Sequence, residues 1–202
     1  MLCNTIDKNC HEKYISSTTL CKNMRRYALI GGPCCGKSSV IREAERRGIL
    51  VVPEVARRVI SKWGGYPTER TDIEKIQREI FFSQISEEEK IKAGEVALLD
   101  RGAIDVLAYS KIQFGGIPFD YSACNLGGRY AGVFLLERAP YEDDGLRIEG
   151  GEEGARIMHD RVVEMYEGFG YKLKKIPLIK DFSVAPGKRL DMILKEVEKW
   201  PA

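Results

Sequence analysis

Apolar residues along this chain alternate between two patterns: short continuous runs, and longer stretches in which they recur every three or four positions. The runs at 27–30, 49–52, 96–99, 132–136 and 173–179 have the length and continuity of strands covered on both faces. Helical spacing marks 38–47 (Val40, Ile41, Ala44), which Gly48 stops, and 55–63. It recurs over 155–168 (Met158, Val162, Met165, Tyr166) and from about 188 to 200 (Leu190, Ile193, Leu194, Val197). A longer helix lies between the second and third strands, with Ile73, Ile76, Ile80 and Phe81 on one stripe. Thr71 with Glu74 reads as its capping box and Gly94 as its end. Strands alternating with helices predict a doubly wound α/β domain over 25–202. Residues 1–24 show no periodicity and read as an extension outside that core.

Composition narrows the picture further. With 202 residues, 44% of them hydrophobic, the chain can bury one substantial core, and it shows no internal repeat or low-complexity tract. A net charge of +2, from 32 basic and 30 acidic residues, is too small a field for nucleic acid, so free nucleotide is the expected partner rather than a duplex. No apolar run approaches the ~18 residues of a membrane span, and the first residues lack the apolar region of a signal peptide. No membrane partner is expected, and a cytoplasmic, reducing location suits the six cysteines, two of which sit in the motif described next. Cys3, Cys10, His11 and Cys21 match no zinc-knuckle spacing; they read as part of a loose extension, with a metal site as the alternative.

The eight residues Gly31-Gly32-Pro33-Cys34-Cys35-Gly36-Lys37-Ser38 follow the first strand, open the first helix, and fit G-x-x-x-x-G-K-[ST]. Glycines let backbone N–H groups turn inward around a polyphosphate, the lysine reaches its β- and γ-phosphates, and the serine hydroxyl ligates Mg²⁺. The nucleotide cradle is therefore Gly31 to Ser39, with Lys37 as its cation and Ser38 as its metal ligand. ATP with Mg²⁺ is the expected pair, and no Asn-Lys-x-Asp tetrad points to guanine. Cys34 and Cys35 read either as small residues at variable positions or as a redox pair.

Ligands of open parallel sheets bind beyond the carboxyl ends of the strands, which selects Glu54 after the second strand and Asp100-Arg101 after the third. Asp100 stands where a magnesium-shell carboxylate stands in such sites. Glu54 is then a general base for an acceptor hydroxyl or a carboxylate at a helix N-terminus. Arg101 either steadies the transferring phosphoryl group and its acceptor or pairs with a neighbour such as Glu54. After the fourth strand, Arg147, with Asp144 to hold it, is the candidate arginine for closing over the γ-phosphate; Arg138 and Arg156 are weaker substitutes. Residues 185–189 lie where the chain would pass the nucleotide base. The Gly-rich stretches 63–67, 114–118 and 126–128 suit substrate loops or ordinary turns, and the acceptor pocket is expected between Glu54, Asp100 and the 112–130 loops.

Several phrases taken together resemble the NadR-type AAA family of P-loop ATPases: the 31–38 motif, Val52-Pro53-Glu54-Val55-Ala56-Arg57, Asp100-Arg101-Gly102-Ala103-Ile104-Asp105, Val133-Phe134-Leu135-Leu136 and Asp144-Gly145-Leu146-Arg147. That group is similar to the nicotinamide riboside kinase domain of NadR and, more distantly, to deoxynucleoside kinases. The resemblance covers about residues 25 to 197. It implies a three-layer P-loop NTPase fold whose parallel sheet has the order 2-3-1-4-5. It also implies phosphate binding by Gly36, Lys37 and Ser38, an acceptor-facing Glu54, a magnesium or substrate carboxylate at Asp100 and a lid arginine at Arg147. Deoxynucleoside kinases carry Glu-Arg-Ser where this chain has Asp100-Arg101-Gly102, which argues against deoxynucleoside specificity. The expected activity is transfer of the γ-phosphate of ATP to a small hydroxylated acceptor such as a nucleoside. The alternative is a nucleotide-dependent switch or plain NTPase.

Overall fold

The computed structural model describes residues 25–141 and 151–199. Among them run five strands, β1 (Arg25–Ile30), β2 (Leu50–Val52), β3 (Val96–Asp100), β4 (Gly132–Leu136) and β5 (Leu173–Ile176). The helices are α1 (Lys37–Arg46), α2 (Val55–Lys62), α3 (Arg70–Glu89), α4 (Ala103–Phe114), α5 (Glu152–Gly168) and α6 (Ala185–Val197). All the strands pair in parallel in the order β2-β3-β1-β4-β5. This is the order implied by the family resemblance, and it brings every strand's carboxyl end to one edge.

Side chains alternate across a strand, so each central strand feeds two cores. Ala28, Ile30, Leu99, Val133 and Leu135 face Val55 and Val59 of α2, Ile76, Ile80 and Phe81 of α3, Ile104 and Leu107 of α4, and Met158 and Val162 of α5. Tyr27, Leu29, Leu98, Phe134 and Leu136 face Val40 and Ile41 of α1 and Leu190, Ile193 and Val197 of α6. Helices thus cover both faces of the sheet, completing three layers. None of the described helices is long and apolar enough to cross a membrane.

Several expected boundaries are corrected. α3 starts at Arg70, so Thr71 lies inside its first turn; Glu69 holds the cap position without a side-chain cap bond, and no capping box forms. Gly94, at φ 86°, belongs to the turn before β3, where Lys92 N–H donates to the Glu95 carboxylate at 2.7 Å. The last strand stops at Ile176 rather than at 179, because Pro177 has no N–H to continue a ladder. The last helix opens at Ala185 with Pro186 in its first turn, so 185–189 is helix and the connecting loop is 177–184.

α4 has no counterpart among the expected elements. Ala103, Ile104, Asp105, Val106, Leu107, Ala108 and Ser110 are all buried, so its first turns carry no apolar stripe against a polar face, and periodicity had nothing to register. The 115–131 connection that follows packs its aromatic residues on the helices, with Phe119 against Phe81 at 5.1 Å and Tyr121 against Phe169 at 6.5 Å between ring centroids. The extension 1–24, with Cys3, Cys10, His11 and Cys21, lies outside the described residues.

Candidate active site at the carboxyl ends of the strands

The 31–38 segment leaves β1 and turns directly into α1, as its spacing requires. Gly36, at φ 73°, occupies the cap position of α1 in the left-handed conformation that glycine tolerates best. The loop is tied to its surroundings through its carbonyls: Ala139 N–H donates to Cys34 O at 3.0 Å, and the buried Arg189 donates to Cys35 O at 2.6 Å. Arg189 also donates to Glu137 O at 2.7 Å and to Pro177 O at 2.9 Å, joining the phosphate loop to the ends of β4 and β5. Its place in the 185–189 segment suggested proximity to a base. The structure makes it a strap beneath the loop, from a residue 154 positions away that no local signal could have paired with Cys35.

Lys37 Nζ donates to the carbonyls of Gly31 at 2.9 Å and Gly32 at 2.8 Å. Burial and then the nearby Arg101 push its pKa below the ordinary lysine range, opposed by Asp100 and Glu54. Asp100, at the end of β3, is 2% exposed and accepts a hydrogen bond from the Ser38 hydroxyl; burial raises its carboxyl, against the pull of Lys37. Its Oδ1 is buried with no hydrogen-bond partner. A buried carboxylate oxygen in need of a cation, beside a serine hydroxyl, is the donor set that suits Mg²⁺, which binds through one or two protein oxygens and fills the rest with phosphate and water. Among the described residues no group of three or more His, Cys, Asp or Glu side chains offers an all-protein metal cage.

A cleft of about 1110 Å³ opens at this edge. Pro33 to Ser39 line one end, Glu54, Asp100 and Arg101 the middle with Gln84 and Tyr109 beside the arginine, and Tyr66 and Gln77 the far end. Gly31 and Gly32 are not among its lining residues, and neither is the 115–131 connection. Of the Gly-rich stretches it is 63–67 that borders the cleft, which corrects the expected pocket.

Glu54 and Arg101, 47 positions apart, meet as an ion pair with Arg101 Nε donating to Glu54 Oε1 at 2.9 Å. Arg57 Nε donates to Oε2, also at 2.9 Å. Burial alone would raise the Glu54 carboxyl, but Arg101, Lys37 and Arg57 outweigh it and bring the pKa down to about 2. Its contribution to stability is therefore fully present above the usual carboxylate value and is lost as the pH falls through about 2. The ion pair that the sequence allowed for Arg101 is thus formed, and it holds Glu54 ionised.

Arg101 adopts φ 75°, a conformation that costs a non-glycine residue about 1–2 kcal/mol. Its guanidinium lies 3.6 Å from Asp105 and 5.4 Å from the Tyr109 ring centre. Burial would lower its pKa, yet Tyr109, Glu54 and Asp105 hold it well above the ordinary value and the side chain stays charged. In the sequence Asp105 stands only within the phrase that carries the family resemblance and has no role of its own, because it sits in an apolar run. Its Oδ2 accepts from Gly102 N–H at 2.9 Å and from Tyr166 Oη at 2.7 Å, which fixes the start of α4 behind the arginine. Tyr66, Gln77 and Gln113 form a second network at the far end: both amide groups donate to Tyr66 Oη, at 2.9 and 2.6 Å.

The same packing explains why glycine follows Arg101. Gly102 has extended backbone angles that any residue adopts, but a Cβ there would stand 2.4 Å from Tyr130 Oη and 2.6 Å from Tyr166 Oη. Gly102→Ala is expected to lower stability by about 1–3 kcal/mol through overpacking. Thermal denaturation checks this, and an unchanged melting temperature would contradict the packing.

Cys34 and Cys35 both border the cleft, but Cys35 is buried, and burial raises its thiol pKa, the opposite of what activates a redox cysteine. Of the substitute arginines, Arg138 pairs with Glu152, and Arg156 with Glu153 and Asp160 on the surface of α5. Asp144 and Arg147 lie outside the described residues.

Solved structures share this arrangement of sheet and helices. Deoxyadenosine kinase from M. mycoides, with products dCMP and dCDP bound, is similar over 86% of this chain and 99% of its own, at 14% identity and a TM-score of 0.57. NadR protein in complex with NR is similar over 89% of this chain at 15% identity and a TM-score of 0.63; the matched region is 52% of that chain. Shikimate kinase from Acinetobacter baumannii, in complex with shikimate, is similar over 87% of this chain and 94% of its own, at 14% identity and a TM-score of 0.51. At such identities the likeness is one of fold. No curated protein matches the chain by sequence. The profile of the AAA domain family matches residues 26–182, from β1 to the loop before α6, and the chain belongs to that family, on the fold of the P-loop kinases.

Proposed function

We propose that this protein is an ATP-dependent phosphotransferase that moves the γ-phosphate of ATP to a hydroxyl of a small acceptor, most simply a nucleoside or nucleotide-like compound. The observation that carries this reading is the extent of the cleft. At about 1110 Å³ it stands at the top of the ~300–1,000 Å³ range of small-ligand pockets, and its lining continues past the phosphate loop to a polar far end at Tyr66 and Gln77. A switch or plain NTPase needs the first half only. Deoxyadenosine kinase and shikimate kinase among the structural neighbours, and NadR with its bound NR, support the same reading.

In this mechanism the backbone of Pro33 to Ser39 and the Lys37 ammonium hold the triphosphate, and Lys37 exchanges its two carbonyl partners for phosphate oxygens. Ser38 and Asp100 would hold Mg²⁺, which when bound neutralises charge on the phosphates. Glu54 accepts the hydrogen bond of the acceptor hydroxyl, aims its oxygen at phosphorus and takes its proton as the new O–P bond forms and the bond from the γ-phosphorus to the β–γ bridging oxygen breaks, releasing ADP. Strong basicity is not required, because a loose phosphoryl-transfer transition state is served by positioning and charge stabilisation. Arg101, held between Glu54 and Asp105, adds positive charge on the acceptor side. Arg147 is the sequence-based choice for the closing cation.

The test is a screen of nucleosides, nicotinamide riboside and nucleoside monophosphates with ATP and Mg²⁺, reading both ADP and phosphorylated product. Product formed in proportion to ADP is the expected result. ADP release independent of every acceptor would favour the hydrolase, and neither signal would favour a switch.

A further inference from the structure

We propose that His159 is a positioning residue of the phosphate loop, its neutral imidazole anchoring the Gly31–Gly32 end of the loop in the shape that receives a triphosphate. The proposal rests on the nucleotide-binding reading of that loop. His159 projects from α5 and its Nδ1 accepts a hydrogen bond from Gly32 N–H at 3.1 Å. The contact is built closely: a Cβ on Gly32 would stand 2.9 Å from both the His159 Cβ and the Ala155 carbonyl oxygen, so only glycine lets the loop lie against the helix. Gly32 is not among the residues lining the cleft, whereas Pro33 to Ser39 are, so its amide is gripped from behind the phosphate site.

The two carbonyls of this dipeptide are held by Lys37. When Lys37 turns to the phosphates, those two bonds are given up at the moment the loop must stay in place. The bond to His159 does not involve Lys37 and persists. It ties the loop to α5, the helix that follows the segment carrying the candidate lid arginine.

Only an unprotonated Nδ1 can accept this hydrogen bond. The charged groups around the imidazole favour that form. Burial and the cations Arg138, Lys37 and Lys175, from the segment after β4, the loop and β5, lower its pKa from the ordinary value, and Asp160 on α5 opposes them. The Cys35 thiol, 3.9 Å from Nδ1, is kept neutral by its own burial. Glu152 and Arg156, which share a shallow depression with His159, are each taken up in ion pairs, with Arg138 and Glu153 respectively. Because the folded state holds the imidazole below its ordinary pKa, the bond is fully present above about pH 6.5 and is lost as the pH falls through the lower value of the folded state.

The test is MgATP binding by the full chain, measured by calorimetry from about pH 7.5 to about pH 5, for the wild type, His159→Ala and His159→Asn. Asn offers Oδ1 in place of Nδ1 and does not titrate. The expected result at neutral pH is binding about fivefold weaker for His159→Ala, the worth of one net hydrogen bond, with His159→Asn close to the wild type. Toward acid the wild type should weaken relative to His159→Asn, a ratio that cancels protonation of the nucleotide itself. Undiminished binding by His159→Ala, or a wild type that tracks His159→Asn across the range, overturns the proposal. Should His159→Ala fail to fold, the ratio of wild type to His159→Asn decides alone. A wild type that binds no MgATP at any pH overturns the nucleotide reading of the loop, and this proposal with it.

Discussion

Glu54→Gln is expected to reduce phosphoryl transfer by about 10²–10⁴-fold while MgATP affinity stays near the wild-type value. The substitution keeps the shape of the side chain and an oxygen facing Arg101, and it removes the charge. Glu54 touches Arg101 and Arg57 rather than the phosphate loop, so the loss should fall on the acceptor and on turnover. With a carboxyl pKa of about 2, Glu54 is ionised throughout any practical assay range, so the acid limb of a rate–pH profile should not come from it. Coupled measurement of ADP release and product, beside an ATP titration, separates the alternatives. Full turnover would reject the role for Glu54, and an equal loss of ATP affinity would move it to the nucleotide side of the cleft.

Glu88→Ala is expected to cost about 3–5 kcal/mol of stability, a large share of the ~5–15 kcal/mol that holds a typical domain together. Glu88 is fully buried and pairs with Arg129, itself 9% exposed, which also donates to Ile85 O at 3.1 Å. Its other oxygen receives Tyr130 Oη at 3.0 Å, Gln84 Nε2 at 3.0 Å and Ala103 N–H at 3.3 Å. Truncation leaves a buried guanidinium with only the Ile85 carbonyl and Glu89, 3.8 Å away, and takes the acceptor from Tyr130 Oη, while Ala103 N–H keeps Tyr130 Oη at 2.7 Å and Gln84 keeps the Arg101 carbonyl at 3.4 Å; an exposed pair such as Lys75–Asp72 is worth about 0–1 kcal/mol. Urea unfolding of Glu88→Ala beside Asp72→Ala makes the comparison, and a difference below about 1 kcal/mol would contradict it. The network also reaches the cleft, because Ala103 N–H begins the helix behind Arg101 and Gln84 lines the cleft beside that arginine. Any surviving fold of Glu88→Ala should therefore bind the acceptor less well than ATP.

The legible parts of the fold were those whose signal is local. The phosphate loop needs eight contiguous residues and a strand and helix on either side, and strands buried on both faces leave continuous apolar runs. Asp100 and Glu54 were found by one rule, that chemistry gathers beyond the carboxyl ends of parallel strands, and both line the cleft. α4 escaped because a helix buried on every side loses the contrast between faces that periodicity detects. Thr71 misled because a capping box is a pattern of two residues, while the start of α3 is set by the chain's route out of the 63–69 loop.

Sequence by itself determined the alternation of strands and helices, the phosphate-loop motif and which residues stand at the strand ends, since each depends on neighbours in the chain or on a period. Tertiary structure alone decided what those residues do to one another. It paired Glu54 with Arg101 across 47 positions, set Arg189 beneath Cys35 across 154 and brought His159 to Gly32 across 127. Partners so far apart are joined by the packing of whole helices on the sheet, and the energy of that packing, spread over two cores, leaves no mark in the few residues on either side of each group. The far end of the cleft belongs to the same class, because α3, α4 and the 63–67 loop converge there only once both cores have closed.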